Sequence, residues 1–152
     1  MISQVVLELL PKATKGRDLD EFLLELVANR LDPPERVEAY LKLHEKYLRE
    51  AEELYGKGDL VQAGEKYWGA IAALLNAIAE KRGMPHYSHR DYAEMIESLV
   101  EERGDEELSR LFASAERLHA NFYHGFLKQT SFRAHREDVL KLVKKLKGLL
   151  IG

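Results

Sequence analysis

The chain has 152 residues, of which 45% are hydrophobic and 32% are charged, and it carries a formal net charge of −3 and no cysteine. This composition excludes a disordered chain, a disulfide-stabilised scaffold and any site built on a thiolate. The small negative charge argues against a general nucleic-acid coat protein. The length fits one domain with a hydrophobic core.

No run of apolar residues approaches the roughly 20 that a membrane-spanning helix needs. The first ten residues lack the basic start and the small-residue cleavage site of a signal peptide. We therefore expect a cytoplasmic protein that makes no contact with membranes. The low content of Gln, Asn and Met, beside many Glu, Lys and Arg, is typical of thermophilic sources.

Capping signals divide the chain into helices. The capping-box spacing, a side-chain cap followed three residues later by an acidic or amide residue, occurs at Asp18–Glu21, Asp32–Glu35, Asp59–Gln62 and Ser88–Asp91. Gly58, Gly83 and Gly104 stand where helices should end. Between these marks the apolar residues recur at helical spacing, and no segment alternates with a period of two. The pattern predicts helices at 19–31, 34–56, 60–82, 89–103, 106–127 and 132–149, and the first ten residues are compatible with another short helix.

These elements predict an all-α protein, an antiparallel four- to five-helix bundle with an N-terminal helical extension. We assign the extension to residues 1–32, packed on a bundle formed by residues 33–152. The helix from Leu60 is apolar nearly all round, which is typical of a central helix or of one covered by a second subunit. In the helix at 106–127, the predicted core stripe contains Leu108, Phe112, Ala115, His119, Phe122 and Phe126.

Charge is segregated along the second half of the chain. Residues 91–107 contain eight acids and one base, whereas residues 128–147 contain seven Lys or Arg and two acids. Solvated helix faces of opposite sign are the simplest interpretation. A basic C-terminal helix is also compatible with a phosphate backbone, although it does not require one.

One helix face combines side chains that suit phosphate chemistry. Arg117 and His124 are seven residues apart, close to two helical turns, and Asn121 lies between them. This face should present a guanidinium, an amide and an imidazole, flanked by Glu116 and Tyr123. From the residues alone, an ordinary hydrogen-bonded surface ladder is the preferred interpretation.

The same segment resembles a known family. Arg117, six intervening residues and His124 match the Arg-x4–6-His signature of the HEPN superfamily. Two segments look like those of archaeal PaREP-type members. The first contains Gly-Asp-Leu and Lys-Tyr-Trp-Gly-Ala within residues 58–70, and the second contains Ala-Glu, Leu-His and Asn-Phe-Tyr within residues 115–123. The resemblance covers roughly residues 40–145.

The resemblance implies a helix bundle that forms a homodimer, with the Arg and His of both copies facing a shared cleft. In catalytic members of this superfamily, which need no metal or cofactor, Arg117 would hold the scissile phosphate and His124 would activate the ribose 2′-hydroxyl. Asn121 would position either group, and the product would be a 2′,3′-cyclic phosphate. Gln62 and Glu65 are weaker candidates for lining the same cleft, as are the flanking side chains.

The implied function is RNA or nucleotide handling, with a metal-independent endoribonuclease of a defence or toxin–antitoxin type as its catalytic form. The alternative is a non-catalytic nucleotide-binding or assembly module that dimerises and engages a partner protein through the apolar helix from Leu60. Leu118 stands directly after the arginine, where active members usually carry a polar residue. The sequence therefore leaves open whether the chain is an enzyme.

The remaining histidines suggest structural roles. His44 and His119 each lie in an apolar stripe, which is typical of core or interface histidines with a hydrogen-bond partner. Glu116 and His119 form one Glu-x-x-His pair, but a di-iron bundle needs two such pairs and two further glutamates. His86 and His89, near Asp91, favour a polar helix start over a metal site.

Overall fold

The structure, a computed structural model, describes residues 1–84 and 89–151. Within these ranges it is all-helical, with a short 3₁₀ turn at Ala28–Arg30 and no strand. The helices are α1 (Gln4–Thr14), α2 (Leu19–Val27), α3 (Pro33–Gly56), α4 (Leu60–Arg82), α5 (His89–Arg103), α6 (Glu107–His124) and α7 (Gln129–Ile151). The predicted all-α fold class is confirmed. The predicted cap at Ser88 and the metal alternative at His86 and His89 lie outside the described residues and side chains.

Three predicted helix starts are confirmed by their cap hydrogen bonds. The carboxylates accept from the amide three residues later, at 3.0 to 3.2 Å, in the pairs Asp18–Glu21, Asp32–Glu35 and Asp59–Gln62. Each bond satisfies an amide that has no partner inside its own helix. Gly83 caps the end of α4 with φ of 66°, a backbone conformation that glycine adopts without strain.

Two predicted helices are too long. The segment predicted as 19–31 is α2 followed by the 3₁₀ turn. The helix predicted as 106–127 ends at His124, because Gly125 takes a left-handed conformation with φ of 57° and its amide bonds to the carbonyl of Asn121. In contrast, α7 is longer than predicted at both ends.

Neighbouring bundle helices run antiparallel, as their side-chain contacts show. Between α3 and α4 the contacting pairs are Arg36–Glu80, His44–Ala70 and Glu52–Tyr67. Between α4 and α6 they include Glu65–His119 and Trp68–Phe112. Between the region of α6 and α7 they include Asp105–Lys145 and Ser114–Asp138. In each set the residue numbers rise on one helix as they fall on the other. The short connections after α3, α5 and α6 fit this arrangement.

The predicted central helix is α4. It contacts α3, α5, α6 and α7, and every residue from Ala70 to Ala79 is buried. Trp68 and Ala72, on the second apolar stripe, are also covered by the chain's own helices. The expectation that this apolar surface receives a partner protein is therefore wrong, because the described part of the bundle already occupies it.

A close backbone approach fixes the position of α6 on α4. A Cβ atom added to Gly64 would lie 2.8 Å from the carbonyl oxygen of Leu118, which is closer than carbon and oxygen can pack. Glycine at this position therefore allows the two helices to touch. The contact places the second half of α6 beside the first half of α4.

The N-terminal extension rests on the bundle through polar contacts and through Leu24, which packs on the cluster that contains Leu43 and Tyr47. Asp18 accepts a hydrogen bond from the hydroxyl of Tyr47 and lies 3.8 Å from the amine of Lys66. In α2 no residue is buried, and in α1 the buried residue is Thr14. Several large apolar side chains of the extension are exposed, namely Ile2, Val5, Val6, Leu7, Leu9, Leu19, Leu26 and Val27.

The oppositely charged segments partly neutralise each other. Lys145 lies 2.6 Å from Asp105 and 3.1 Å from Glu107, and Lys141 also pairs with Glu107. Two lysines of the basic helix α7 thus form ion pairs with acidic side chains at the start of α6. None of the described helices combines the length and the apolar character that crossing a bilayer requires.

Candidate functional site

Arg117 and His124 lie on one side of α6, as their spacing predicts, and both are exposed. His124 is the last residue of the helix. Asn121, between them, does not reach the same surface. Its side chain is buried, and its Oδ1 accepts a hydrogen bond from the backbone amide of Leu127 at 2.7 Å.

The bond to Asn121 shapes the connection between α6 and α7. After the left-handed Gly125 the chain turns back, and the Asn121 amide holds Leu127 against the end of α6. The Nδ2 of Asn121 is buried without a hydrogen-bond partner among the described residues. The sequence pattern could not show this role, because Leu127 lies inside the helix predicted as 106–127, where its amide would bond to the helix backbone.

Phe126 lies on this turn and not in the core, where it was predicted. The helix ends two residues before it, so the periodicity that placed it in the stripe no longer applies. Its ring is 41% exposed, and the Cζ atom of Arg117 lies 4.5 Å above the ring centroid. A guanidinium over an aromatic face is held by the attraction of the ring's negative face for a cation.

The charge of Arg117 is not compensated within the described residues, where it forms no ion pair. Other arginines contrast with it, in the pairs Arg36–Glu80 at 2.7 Å, Arg82–Glu102 at 2.5 Å and Arg136–Glu52 at 2.7 Å. The Phe126 ring restricts the guanidinium without neutralising it. An anion that approaches this surface therefore meets an oriented donor fork with its full charge.

A second cluster occupies a different flank of α6. His119 Nδ1 lies 2.8 Å from Glu65 Oε2, and the imidazole stacks on Trp68 with ring centroids 4.8 Å apart. The edge of Tyr123 meets the same imidazole at 5.2 Å. Because His119 follows Arg117 by two residues, the two side chains leave the helix roughly 160° apart.

The structure therefore separates the predicted site residues into two groups. Arg117 and His124 form the first, whereas Glu65 and Tyr123 belong to the His119 cluster. Gln62 is exposed in the first turn of α4, and Glu116 is half-buried. The helix geometry does not bring all of these side chains to a single cleft within one chain.

The two histidines assigned to structural roles both have hydrogen-bond partners. His44 is fully buried, and its Nδ1 donates to the carbonyl oxygen of Ala70 at 2.7 Å. Burial lowers the pKa of His44, although the Ala70 carbonyl acts in the opposite direction. His119 has Glu65, and it contributes a contact between α6 and α4 rather than a core side chain. Within the described ranges, no group of three or more His, Asp and Glu side chains is placed to hold a metal ion.

Sequence reasoning missed a polar relay between α6 and α7. The Ser114 hydroxyl lies 2.5 Å from Asp138 Oδ2 and 3.0 Å from His135 Nδ1. Ser114 is buried and the other two side chains are half-buried. The spacing of three residues on α7 was the available signal, but only the packing of α6 on α7 brings the serine to it.

The chain was compared with protein families, curated proteins and solved structures. The model of the archaeal PaREP1/PaREP8 family matches residues 39–143, close to the extent of the resemblance in the sequence. No curated protein and no solved structure matches the chain. The matched segment runs from α3 through most of α7 and includes Arg117, His124 and the α6–α7 turn. Since it covers more than half of the sequence, the chain belongs to the archaeal PaREP1/PaREP8 family.

Proposed function

We propose that this chain is a HEPN-like domain that binds RNA through Arg117 and His124 and cleaves it without a metal. The observation that carries the proposal is the exposed guanidinium of Arg117, held over Phe126 and free of any carboxylate among the described residues. Phosphate is the anion that such a donor fork fits best, because two N–H groups match two phosphate oxygens.

The turn after α6 supports the binding step. Asn121 holds the backbone at Leu127, and this fixes the segment that carries Phe126 under the guanidinium. We therefore assign Asn121 to positioning the turn, in place of the positioning of the phosphate or the 2′-hydroxyl that the resemblance implied. The side chain of Asn121 is therefore buried, although Arg117 and His124 on the same helix are exposed.

The cleavage step uses the ribose 2′-hydroxyl as the nucleophile. The 2′-oxygen attacks phosphorus, His124 takes the hydroxyl proton, the bond from phosphorus to the 5′-oxygen breaks, and the 5′-oxygen takes a proton from solvent. The products are a 2′,3′-cyclic phosphate and a 5′-hydroxyl. Arg117 stabilises the negative charge that grows on the phosphoryl oxygens, and an imidazole suits the proton transfer near neutral pH.

A homodimer would place two such sites together. The exposed side chains of Arg117 and His124 form a ridge along α6 of one chain. A second copy that packs along α6 would enclose the substrate between the two ridges. Dimerisation is measured by sedimentation velocity over a range of concentrations. A monomer that still cleaves RNA would show that one ridge is sufficient.

The test is cleavage of a mixed single-stranded RNA in excess EDTA. We expect the wild-type chain to cleave and to release cyclic phosphate termini, and we expect Arg117→Ala and His124→Ala each to lower the rate by about 100-fold or more. Arg110→Ala is the matched control. Arg110 is an exposed arginine two turns earlier on the same side of α6, within ion-pair distance of Glu106.

The other outcomes are also informative. If the wild type binds labelled RNA but does not cleave it, and Arg117→Ala weakens binding while Arg110→Ala does not, the chain is the non-catalytic binding module. If RNA neither binds nor is cleaved, the proposal is wrong. Binding is measured at low and moderate salt, because phosphate contacts weaken as salt rises.

A further inference from the structure

We infer that Tyr123 is a base-binding residue of this site, on whose exposed ring an unpaired nucleobase stacks while the phosphate of the same strand lies at Arg117 and His124. The inference rests on the function proposed above. It adds a recognition element that the Arg–His signature does not contain, and it gives the tyrosine that precedes His124 a contact with the substrate.

The exposed aromatic rings of the described residues are found beside His124. Of the aromatic side chains that the structure describes, Tyr123 is 65% exposed and Phe126 is 41% exposed, whereas the others are buried or half-buried. The two exposed rings stand one residue before and two residues after His124. The remaining exposed large apolar side chains of this part of the chain are not aromatic, and they lie in the N-terminal extension or at Ile151.

The ring of Tyr123 is held in place without a parallel ring on it. Its centroid lies 5.2 Å from that of His119 with an interplanar angle of 87°, and 5.1 Å from that of Phe122 with an angle of 77°. Both contacts are close to perpendicular, so neither neighbour stacks flat on the tyrosine. Phe126 differs, because the guanidinium of Arg117 lies over its ring. Tyr123 therefore offers an oriented surface for offset stacking.

Positive charge lies beside this ring. A base-stacking platform works together with cationic groups that hold the backbone of the strand. Arg117 supplies such a charge, and His124 is the next residue after Tyr123, so their Cα atoms are about 3.8 Å apart. The two side chains diverge by about 100° around α6. One sugar joins the base of a nucleotide to its phosphate, so a strand held at Arg117 and His124 passes next to Tyr123.

The charges on the two flanks of Tyr123 set the orientation of the strand. On one flank Glu65 lies 2.8 Å from His119, and Glu116 precedes Tyr123 by seven residues and shares its side of α6. These carboxylates repel a phosphate but not a neutral base. The phosphates should therefore follow the Arg117 flank, while the base turns toward the tyrosine.

This arrangement selects a class of nucleotide. A base inside a duplex is already stacked between its neighbours, so only an unpaired base can lie on Tyr123. Every base has a π-face, and stacking therefore carries little sequence preference. We expect the site to bind unpaired nucleotides of any sequence and to bind duplex RNA weakly.

A packing role is the competing explanation. Tyr123 contacts His119, which in turn stacks on Trp68, so the tyrosine could serve only to hold α6 on α4. The two explanations differ in one measurable respect. A packing role affects every ligand of the site equally, whereas stacking matters only when the ligand carries a base.

The experiment compares two 2′-O-methyl RNA strands of equal length, one with bases and one abasic throughout. The methyl group blocks the 2′-oxygen nucleophile, so both strands bind without being cleaved. Affinity is measured by fluorescence anisotropy at low salt. We expect the wild-type chain to bind the strand with bases about 10-fold or more tightly than the abasic strand. Tyr123→Leu should remove this preference without changing the affinity for the abasic strand, and Tyr123→Phe should retain it.

Two further measurements separate the base contact from the phosphate contact. Arg117→Ala should weaken binding of both strands by the same factor. A 2-aminopurine base placed in the first strand loses fluorescence when it stacks, so the wild type and Tyr123→Phe should quench it on binding and Tyr123→Leu should not.

Several results would overturn the inference while leaving the proposed function standing. They are equal wild-type affinities for the two strands, an equal loss on both strands for Tyr123→Leu, or no loss on either. If Tyr123→Leu instead changes only the sedimentation coefficient, the ring belongs to a protein interface. A wild-type chain that binds neither strand would overturn both the inference and the proposed function.

Discussion

At the scale of single residues, burial decides what the histidines and the polar side chains do. His44 and Asn121 are both buried, and each bonds to one backbone group with one ring or amide nitrogen left unpartnered among the described residues. Arg117 and His124 are exposed, and neither makes such a bond to another described residue. The sequence separated these classes only in part, since it assigned His44 correctly and placed Asn121 on the surface.

His44 predicts a pH dependence of stability. Burial lowers the pKa of His44 in the folded state. As the pH falls, the unfolded chain therefore binds a proton at this histidine before the folded chain does. The free energy of unfolding should therefore fall as the pH drops below the ordinary histidine pKa of about 6.5, by at most about 1.4 kcal/mol per pH unit from this group. At pH 8 the group is neutral in both states and has no such effect.

The measurement is urea unfolding between pH 5 and pH 8 for the wild type and for His44→Gln. Glutamine can donate to the Ala70 carbonyl but does not titrate in this range. The difference in unfolding free energy between the two chains should shrink as the pH falls. Parallel curves would show that His44 has no lowered pKa.

At the scale of elements, the ends and contacts of α6 determine the site. The helix stop at Gly104 placed the start of α6 within one residue, but the end of α6 was predicted three residues too late. Gly125 was the available signal, because glycine often stops a helix in the left-handed conformation. Once the helix ends there, Phe126 leaves the core stripe and becomes the surface on which Arg117 lies.

The contact between α4 and α6 predicts a large effect of a small substitution. In Gly64→Ala the added methyl group would meet the Leu118 carbonyl at 2.8 Å, so the helices must move apart, at a cost of about 1–3 kcal/mol. Gly148→Ala is the matched control in α7, where the new Cβ meets nothing within 4 Å. It should be neutral or stabilising by up to about 1 kcal/mol, because alanine favours helix.

Both variants are measured by thermal and urea unfolding, with circular dichroism as the signal. A Gly64→Ala chain as stable as Gly148→Ala would mean that α4 and α6 separate at little cost. In that case the contact would not position the candidate site.

At the scale of the whole molecule, the buried helix α4 contacts four other described helices, and an extension lies outside the matched family segment. The extension includes α1 and α2, which precede residue 39. The first of these contacts the second, and the second contacts the bundle at α3. Its exposed apolar side chains contribute little burial, so we assign most of the folding free energy to residues from α3 onward.

Truncation tests this division. A chain starting at Gly16 loses α1 and should keep its unfolding free energy within about 1 kcal/mol, since the side chains removed are mostly exposed. A chain starting at Ala28 also loses Asp18, the acceptor of the Tyr47 hydroxyl, and Leu24, which packs on the cluster that contains Leu43 and Tyr47. That second truncation should lower the free energy of unfolding by a further ~1–3 kcal/mol. Equal losses in the two chains would assign the stabilising contacts to α1.

The sequence by itself determined the all-helical fold, the capped starts of α2, α3 and α4, and the central position of α4, because caps act within three residues and periodicity reports which face is buried. It also selected Arg117 and His124, since residues seven apart on one helix share a side whatever surrounds them. The tertiary structure alone decided that Glu65 belongs with His119, that Asn121 holds a turn, and that Ser114 meets His135 and Asp138. Those relations join residues that are distant in sequence or lie beyond a helix end, and only packing brings them together.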